Sequence, residues 1–160
     1  RKAVLLPILR KDFIIEPIQL EEVDSDLVLL IAGILGEKLD SFVELVFDKG
    51  FEPLVEVHNA KELDYALETD ARVIGINNRD LKTLKIDLGT TEELAPLIRE
   101  YDVGHGINHI IISESGMKSA ADVRRVIQAG ADAVLVGSAL MESESVFEKT
   151  KEFVQSLSWR

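Results

Sequence analysis

Cysteine is missing from all 160 residues of this sequence. Disulfides, thiolate nucleophiles and cysteine-ligated metals are excluded with it, and a reducing, cytoplasmic setting is expected. Positive charge is scarce: 18 Lys and Arg stand against 29 Asp and Glu, a formal net charge of −11. That balance argues against nucleic acid or an anionic membrane surface as a partner. It leaves room for a small anionic ligand, because backbone N–H groups and one or two lysines bind phosphate locally. Long apolar runs are absent too. The longest, Leu27 to Leu35, is far too short to span a bilayer. The opening RKAVLLPILRK lacks the longer apolar region and small-residue cleavage site of a secretory signal. Since the sequence starts on Arg rather than Met, further residues are expected upstream. There is no G-x-G-x-x-G after a strand, no Walker loop and no G-x-S-x-G elbow, so dinucleotide, nucleoside-triphosphate and serine-hydrolase chemistry lose their usual support. No Pro/Ser-rich linker divides the chain, and one domain over residues 1–160 is expected.

What is present is an ordinary globular composition, 46% hydrophobic and 29% charged. Short β-rich runs alternate with helical patterns, the signature of βα units around a parallel sheet. Strands are expected at 5–13, 26–33, 52–58, 72–78, 109–115 and 132–138, several of them nearly continuous in Val, Ile and Leu, as strands buried on both faces are. A helix over 36–49 places Leu39, Phe42, Val43 and Val46 on one face, with Gly50 as its left-handed cap. Helices over 59–69 and 119–129 open on capping-box patterns, Asn59 with Glu62 and Ser119 with Asp122. A last helix over 145–157 turns Val146, Phe147, Phe153, Val154 and Leu157 inward. The segment 90–100 reads as helical, with a kink or late start expected at Pro96. EPIQLEEVDSD is short for a crossover helix, and YDVGHGINH reads as a glycine-rich loop. Six such units do not close a barrel of eight. Either the sheet is doubly wound, or two units are absent.

Alternation along the strands groups the polar side chains. Leu9, Lys11 and Phe13 share a face, as do Leu54, Glu56 and His58, then Gly75 and Asn77, then Ile112, Glu114 and Gly116. Each polar member lies at or near the C-terminal end of its strand, the end where barrel enzymes place their chemistry. Lys11 alone would pass for a surface lysine. Glu56, flanked by Val55 and Val57, is buried unless its strand is an edge, and a buried carboxylate needs partners. Asn77 and Asn78 are also plain turn formers, and Glu114 could be a loop carboxylate. Gly116 in SESG, and Gly137 and Ser138 in VGSAL, stand at two consecutive strand ends. Such loops bind phosphate through backbone N–H groups, although either glycine alone could serve only a tight turn. His105 and His109 are four apart across the expected loop, which argues against a metal site. His58 sits near Glu56 and could hydrogen-bond at the mouth.

The motifs PILRKDFI, LLIAGIL, PLVEVHN, IGINNRDL, SESGMKSAADV and AVLVGSALM, in this order, resemble the indole-3-glycerol-phosphate synthase family over nearly the whole chain, from the family's third strand onward. The resemblance implies a (βα)8 TIM barrel whose first two βα units are absent from this sequence, and with them a second active-site lysine and a glutamate. It implies a carboxy-lyase of tryptophan biosynthesis that closes 1-(2-carboxyphenylamino)-1-deoxyribulose 5-phosphate to indole-3-glycerol phosphate, with release of carbon dioxide and water. Lys11 then matches the family's general acid and Glu56 its acid/base in dehydration. Asn77 and Glu114 match further catalytic positions. Phe13, Arg79, Ser115, Gly116, Gly137 and Ser138 match substrate and phosphate positions. No cofactor and no metal are expected. The expected partner is a phosphorylated small molecule, with no nucleic acid and no membrane, and association with other tryptophan-pathway enzymes stays open. Two alternatives remain: a noncatalytic phosphate-binding partial barrel that self-associates, and phosphoribosylanthranilate isomerase. The lack of cysteine and the pairing of Lys11 with Glu56 count against the second.

Overall fold

The computed structural model describes residues 5–22 and 24–157. The strands are β1 (Leu9–Arg10), β2 (Leu27–Ile31), β3 (Glu52–Val57), β4 (Val73–Asn77), β5 (Ile110–Glu114) and β6 (Ala133–Leu135). The α-helices are α1 (Ala32–Leu35), α2 (Leu39–Asp48), α3 (Ala60–Leu67), α4 (Gly89–His105), α5 (Ala120–Gln128), α6 (Ser138–Met141) and α7 (Val146–Leu157). The strand order in the sheet is β1-β2-β3-β4-β5-β6. It lacks the reversal that defines a doubly wound sheet, so of the two arrangements left open by the sequence the barrel-type order is the one found. Contacts divide the chain into two compact units, Arg1–Gly75 and Ile76–Arg160.

In the first unit β1 pairs with β2, and β2 with β3, all parallel, with Leu27 opposite Glu52 and Ile31 opposite Glu56. Val28, Leu30, Val55 and Val57 are fully buried, which explains why these strands read as unbroken apolar runs. Helix α2 buries Leu39, Phe42, Val43 and Val46, the face set by its 3.6-residue period. Gly50, at φ 79°, ends the segment as expected. Its N–H reaches Phe47 O and that of Phe51 reaches Val46 O, a Schellman closure.

The first strand is much shorter than the expected 5–13. Leu5 and Leu6 are exposed, and beyond Arg10 side chains take over the backbone polar groups. Asp12 accepts from Phe13 N, while Gln19 accepts from Ile15 N and Glu16 N and donates to Phe13 O. With those groups satisfied locally, no ladder is needed. The short crossover is a 3-10 helix, Pro17–Glu22, and Val23 of that segment lies outside the described residues.

In the second unit β5 pairs parallel with β6, Glu114 opposite Leu135. Helix α4 starts before Pro96 rather than late at it, and it overturns one expectation by continuing through most of the expected loop to His105. Gly106 closes it at φ 68°, donating to Asp102 O, and Ile107 N reaches the same carbonyl. The buried Asp102 side chain then accepts from His109 N at 3.0 Å and pairs with its Nδ1. His105 instead stacks on Tyr101 with ring centroids 3.9 Å apart. The Tyr101 ring also lies tilted against His109, with centroids 6.3 Å apart, so it stands beside both histidines.

Helix α7 is rotated from its expected orientation. Phe153 and Ser156 are its buried residues, while Val146, Phe147 and Val154 are exposed. The rotation brings Glu152 to α5, where its Oε1 accepts from Ala120 N at 3.0 Å and satisfies one of the free N–H groups of that helix's first turn.

Candidate functional site

The first unit gathers four charged or ionisable side chains. Lys11 follows β1, and its Nζ donates to Glu56 Oε2 at 2.7 Å. The two partners differ in exposure, 40% for the lysine side chain and 2% for the carboxylate. Glu56 sits in β3 opposite Ile31, so the strand's own burial forces the carboxylate inside. On its other side, His58 Nε2 stands 3.3 Å from Glu56 Oε1, and His58 Nδ1 donates to Glu62 Oε2 at 2.9 Å.

Glu62 is anchored where α3 begins. Asn59 caps the helix by accepting from Glu62 N, and Asn59 Nδ2 donates to Glu62 Oε1 at 2.8 Å. The expected capping box is altered in one respect. The Glu62 carboxylate reaches His58 N rather than the N-cap's own N–H. Gly33 in α1 leaves the space for it, since a Cβ there would lie 2.7 Å from Glu62 Oε1.

Burial pushes the His58 imidazole down, but its contacts with Glu56 and Glu62, together with their charge, carry it up to about 9. Glu62 responds in the opposite sense. Burial raises it, and the hydrogen bonds and charge of His58 hold it below its ordinary value. Around neutral pH the imidazole is therefore charged and faces the Glu62 carboxylate.

The second unit builds a different network at the ends of β4 and β5. Asn77 is buried and its Oδ1 accepts from Arg79 N at 3.0 Å. Asn78, read in the sequence only as a turn former, is the hub. Its Nδ2 donates to Ser113 Oγ, Glu114 O and Ser115 O at 2.9–3.0 Å. Its Oδ1 accepts from Thr91 N and Thr91 Oγ1. Ser113 and Thr91 close the ring through their hydroxyls, 2.7 Å apart. The signal that could have found this ring is Ser113 itself, a polar residue in an apolar strand that must find a partner once buried.

The ring holds Ser115 at φ 64°, a left-handed conformation that costs a non-glycine residue about 1 kcal/mol or more. Glu114 is fully buried. Arg79 bridges to Ile86, so the loop between β4 and α4 folds back on itself. Phe13 is exposed, with its N–H on Asp12.

The two glycine features are not equivalent. Gly116 has φ 93°, and a Cβ there would meet Ile86 Cγ2 at 2.6 Å, so the fold itself requires a glycine. Gly137 has φ −118°, and a Cβ there would meet nothing within 4 Å. It and Ser138 are exposed beyond the last ladder pair, Glu114 with Leu135. The packing of the described residues leaves Gly137 open.

Residues 1–153 match the family model described as indole-3-glycerol phosphate synthase. Curated relatives of that name include one from Methanocaldococcus jannaschii, 45% identical over 93% of this chain and 54% of its own length. Another, from Thermoanaerobacter sp., is 42% identical over 97% of this chain and 58% of its own length. A third, from Dehalococcoides mccartyi, is 46% identical over 93% and 56%. The chain therefore spans between 54% and 58% of the length of these relatives. Among solved structures, a 3-hexulose-6-phosphate synthase from Salmonella typhimurium is similar with TM-score 0.60 and 15% identity, over 88% of this chain and 65% of the other. A thiamine phosphate pyrophosphorylase from Pyrococcus furiosus has TM-score 0.63 and 18% identity, over 89% and 64%. These two likenesses concern the fold alone.

Proposed function

The chain belongs to the indole-3-glycerol phosphate synthase family, and from that premise we propose that the whole protein closes 1-(2-carboxyphenylamino)-1-deoxyribulose 5-phosphate to indole-3-glycerol phosphate on a complete (βα)8 barrel. The observation that carries the reading is the Lys11–Glu56 pair, a half-exposed ammonium 2.7 Å from a carboxylate buried in β3.

The chemistry divides between these two groups. As the aromatic carbon attacks the ketose carbonyl, the oxygen gains charge, and the Lys11 ammonium donates a proton to it. Loss of the ring carboxylate as carbon dioxide restores aromaticity. Expulsion of the resulting hydroxyl as water then needs a proton relay, which is the part of Glu56. Asn77 and Glu114 orient the substrate, with Phe13, Arg79 and Ser115 against its body. The phosphate is taken by backbone N–H groups around Gly116, Gly137 and Ser138. Gly137 supports this role best, because among the described residues no contact accounts for its missing side chain. A diffusible phosphorylated substrate goes with a cytoplasmic location and with neighbours from the same pathway.

Glu56→Gln tests the division of labour. It keeps shape and hydrogen bonding and removes the relay. In single-turnover experiments on the whole protein, release of carbon dioxide is expected to continue while dehydration slows by about a hundredfold. Equal slowing of both steps would remove the separate roles.

A further inference from the structure

The Lys11–Glu56 pair has a second layer that the proposed chemistry does not use. Glu56 presents two oxygens to two cations, Oε2 to Lys11 and Oε1 to His58. Lys11 is half-exposed and long, so its ammonium is within reach of a substrate. His58 is fixed, its side chain nine-tenths buried and its Nδ1 held by Glu62 at the cap of α3. We propose that His58 is a positioning residue, which holds Glu56 from Oε1 and ties it to the cap of α3, so that Lys11 can leave Oε2 during the reaction while a cation stays on the buried carboxylate. This rests on the catalytic reading of Lys11 and Glu56 given above.

The physical need is specific. A carboxylate buried in a strand is costly when charge compensation is withdrawn. A general acid that is also its ion-pair partner withdraws compensation at each proton transfer. A second cation on the other oxygen keeps Glu56 anionic and in place through the step. Glu62 serves His58 in the same way, and Gly33 makes room for Glu62. The groups facing the imidazole are Glu56 from β3 and Glu62 from α3, with Lys11 acting through Glu56, while α1 brings only the uncharged Gly33.

The test uses three variants of the whole protein. His58→Phe removes both contacts, His58→Gln keeps a donor without the charge, and Gly33→Ala displaces only the Glu62 carboxylate. In His58→Phe, kcat is expected to fall at least about tenfold, the scale of one buried ion-pair contact, with KM within about twofold. His58→Gln, which restores a donor without the charge, is expected to recover only a small part of that loss at neutral pH and to remove the dependence of the alkaline limb of the rate profile on deprotonation of the imidazole. NMR titration of the imidazole supplies a readout that needs no turnover. The midpoint is expected near the raised value in the unaltered protein, and lower in both Glu56→Gln and Gly33→Ala.

Unchanged kcat and pH profile in both His58 variants would overturn the proposal, as would an imidazole that titrates in its ordinary range. Failure of the underlying reading looks different. Lys11→Ala and Glu56→Gln would then turn over normally, removing the catalytic role of His58 with theirs, while the titration still reported the imidazole bound to Glu56.

Discussion

His58 shows how a single residue gains a charge state from its surroundings. With a pKa raised from 6.5 to about 9, it contributes stability through its protonated form. That contribution is complete below about pH 6.5 and is lost as the pH climbs through about 9. Glu62, depressed below 4.5, behaves in the opposite sense: its contribution is present above 4.5 and fades as the pH falls below that value. The cluster is therefore in full force between these limits. Thermal unfolding of the whole protein and of His58→Gln is expected to differ by on the order of 1–3 kcal/mol at pH 6. The difference should shrink above pH 9, and one that did not change with pH would contradict the assignment. The two glycines also separate at this scale. Gly137→Val is expected to leave the melting temperature unchanged and to weaken phosphate affinity, read as a raised Michaelis constant or a lower affinity for inorganic phosphate. Gly116→Val, strained at φ 93° and pressed on Ile86, is expected to cost about 2 kcal/mol or more of stability.

Among the elements, legibility followed the strength of the local signal. Helices α2, α3 and α5 were readable because period and caps agree. Ser119 and Asp122 form the full reciprocal box, and the inward face of α2 is the one its spacing implies. Helix α4 was readable only as far as Glu100. Gly104, His105 and Gly106 look like loop chemistry, yet the helix carries through the first two and is closed only at Gly106, because its partners are tertiary: Asp102 against His109, and Arg99 on His109 O and Gly130 O. The orientation of α7 was missed for a similar reason, since Glu152 reaches the first turn of α5. In the candidate site, strand alternation brought out Lys11 with Glu56 but not Asn78. Its contacts reach residues 13 to 37 positions away, a distance that no local pattern encodes. Asn78→Ala is expected to destabilise the protein by about 3 kcal/mol, because it strands the buried hydroxyls of Thr91 and Ser113 and releases Ser115. Asn78→Asp, which keeps the acceptor and loses the donor, should retain the Thr91 contacts and still free Ser115. Chemical denaturation of both variants checks this, and an Asn78→Ala midpoint equal to the unaltered protein's would remove Asn78 as a hub.

For the molecule as a whole, composition and strand order point the same way. The acidic balance of the chain argues against a polyanionic partner, and the strands follow one another in the sheet in sequential order, as in a barrel. The motifs in their order pointed to a family that the comparison over residues 1–153 supports. The six strands of the described residues were legible from six apolar runs, while their order was implied by the resemblance and not by periodicity, which says nothing about which strand lies beside which. Lys11→Ala in the whole protein tests the central claim most directly, by steady-state conversion of 1-(2-carboxyphenylamino)-1-deoxyribulose 5-phosphate to indole-3-glycerol phosphate. Turnover is expected to fall by at least about a hundredfold with little change in substrate affinity, the pattern of a lost general acid. Near-normal turnover in that variant would contradict the assignment of Lys11 and Glu56 as the reacting pair.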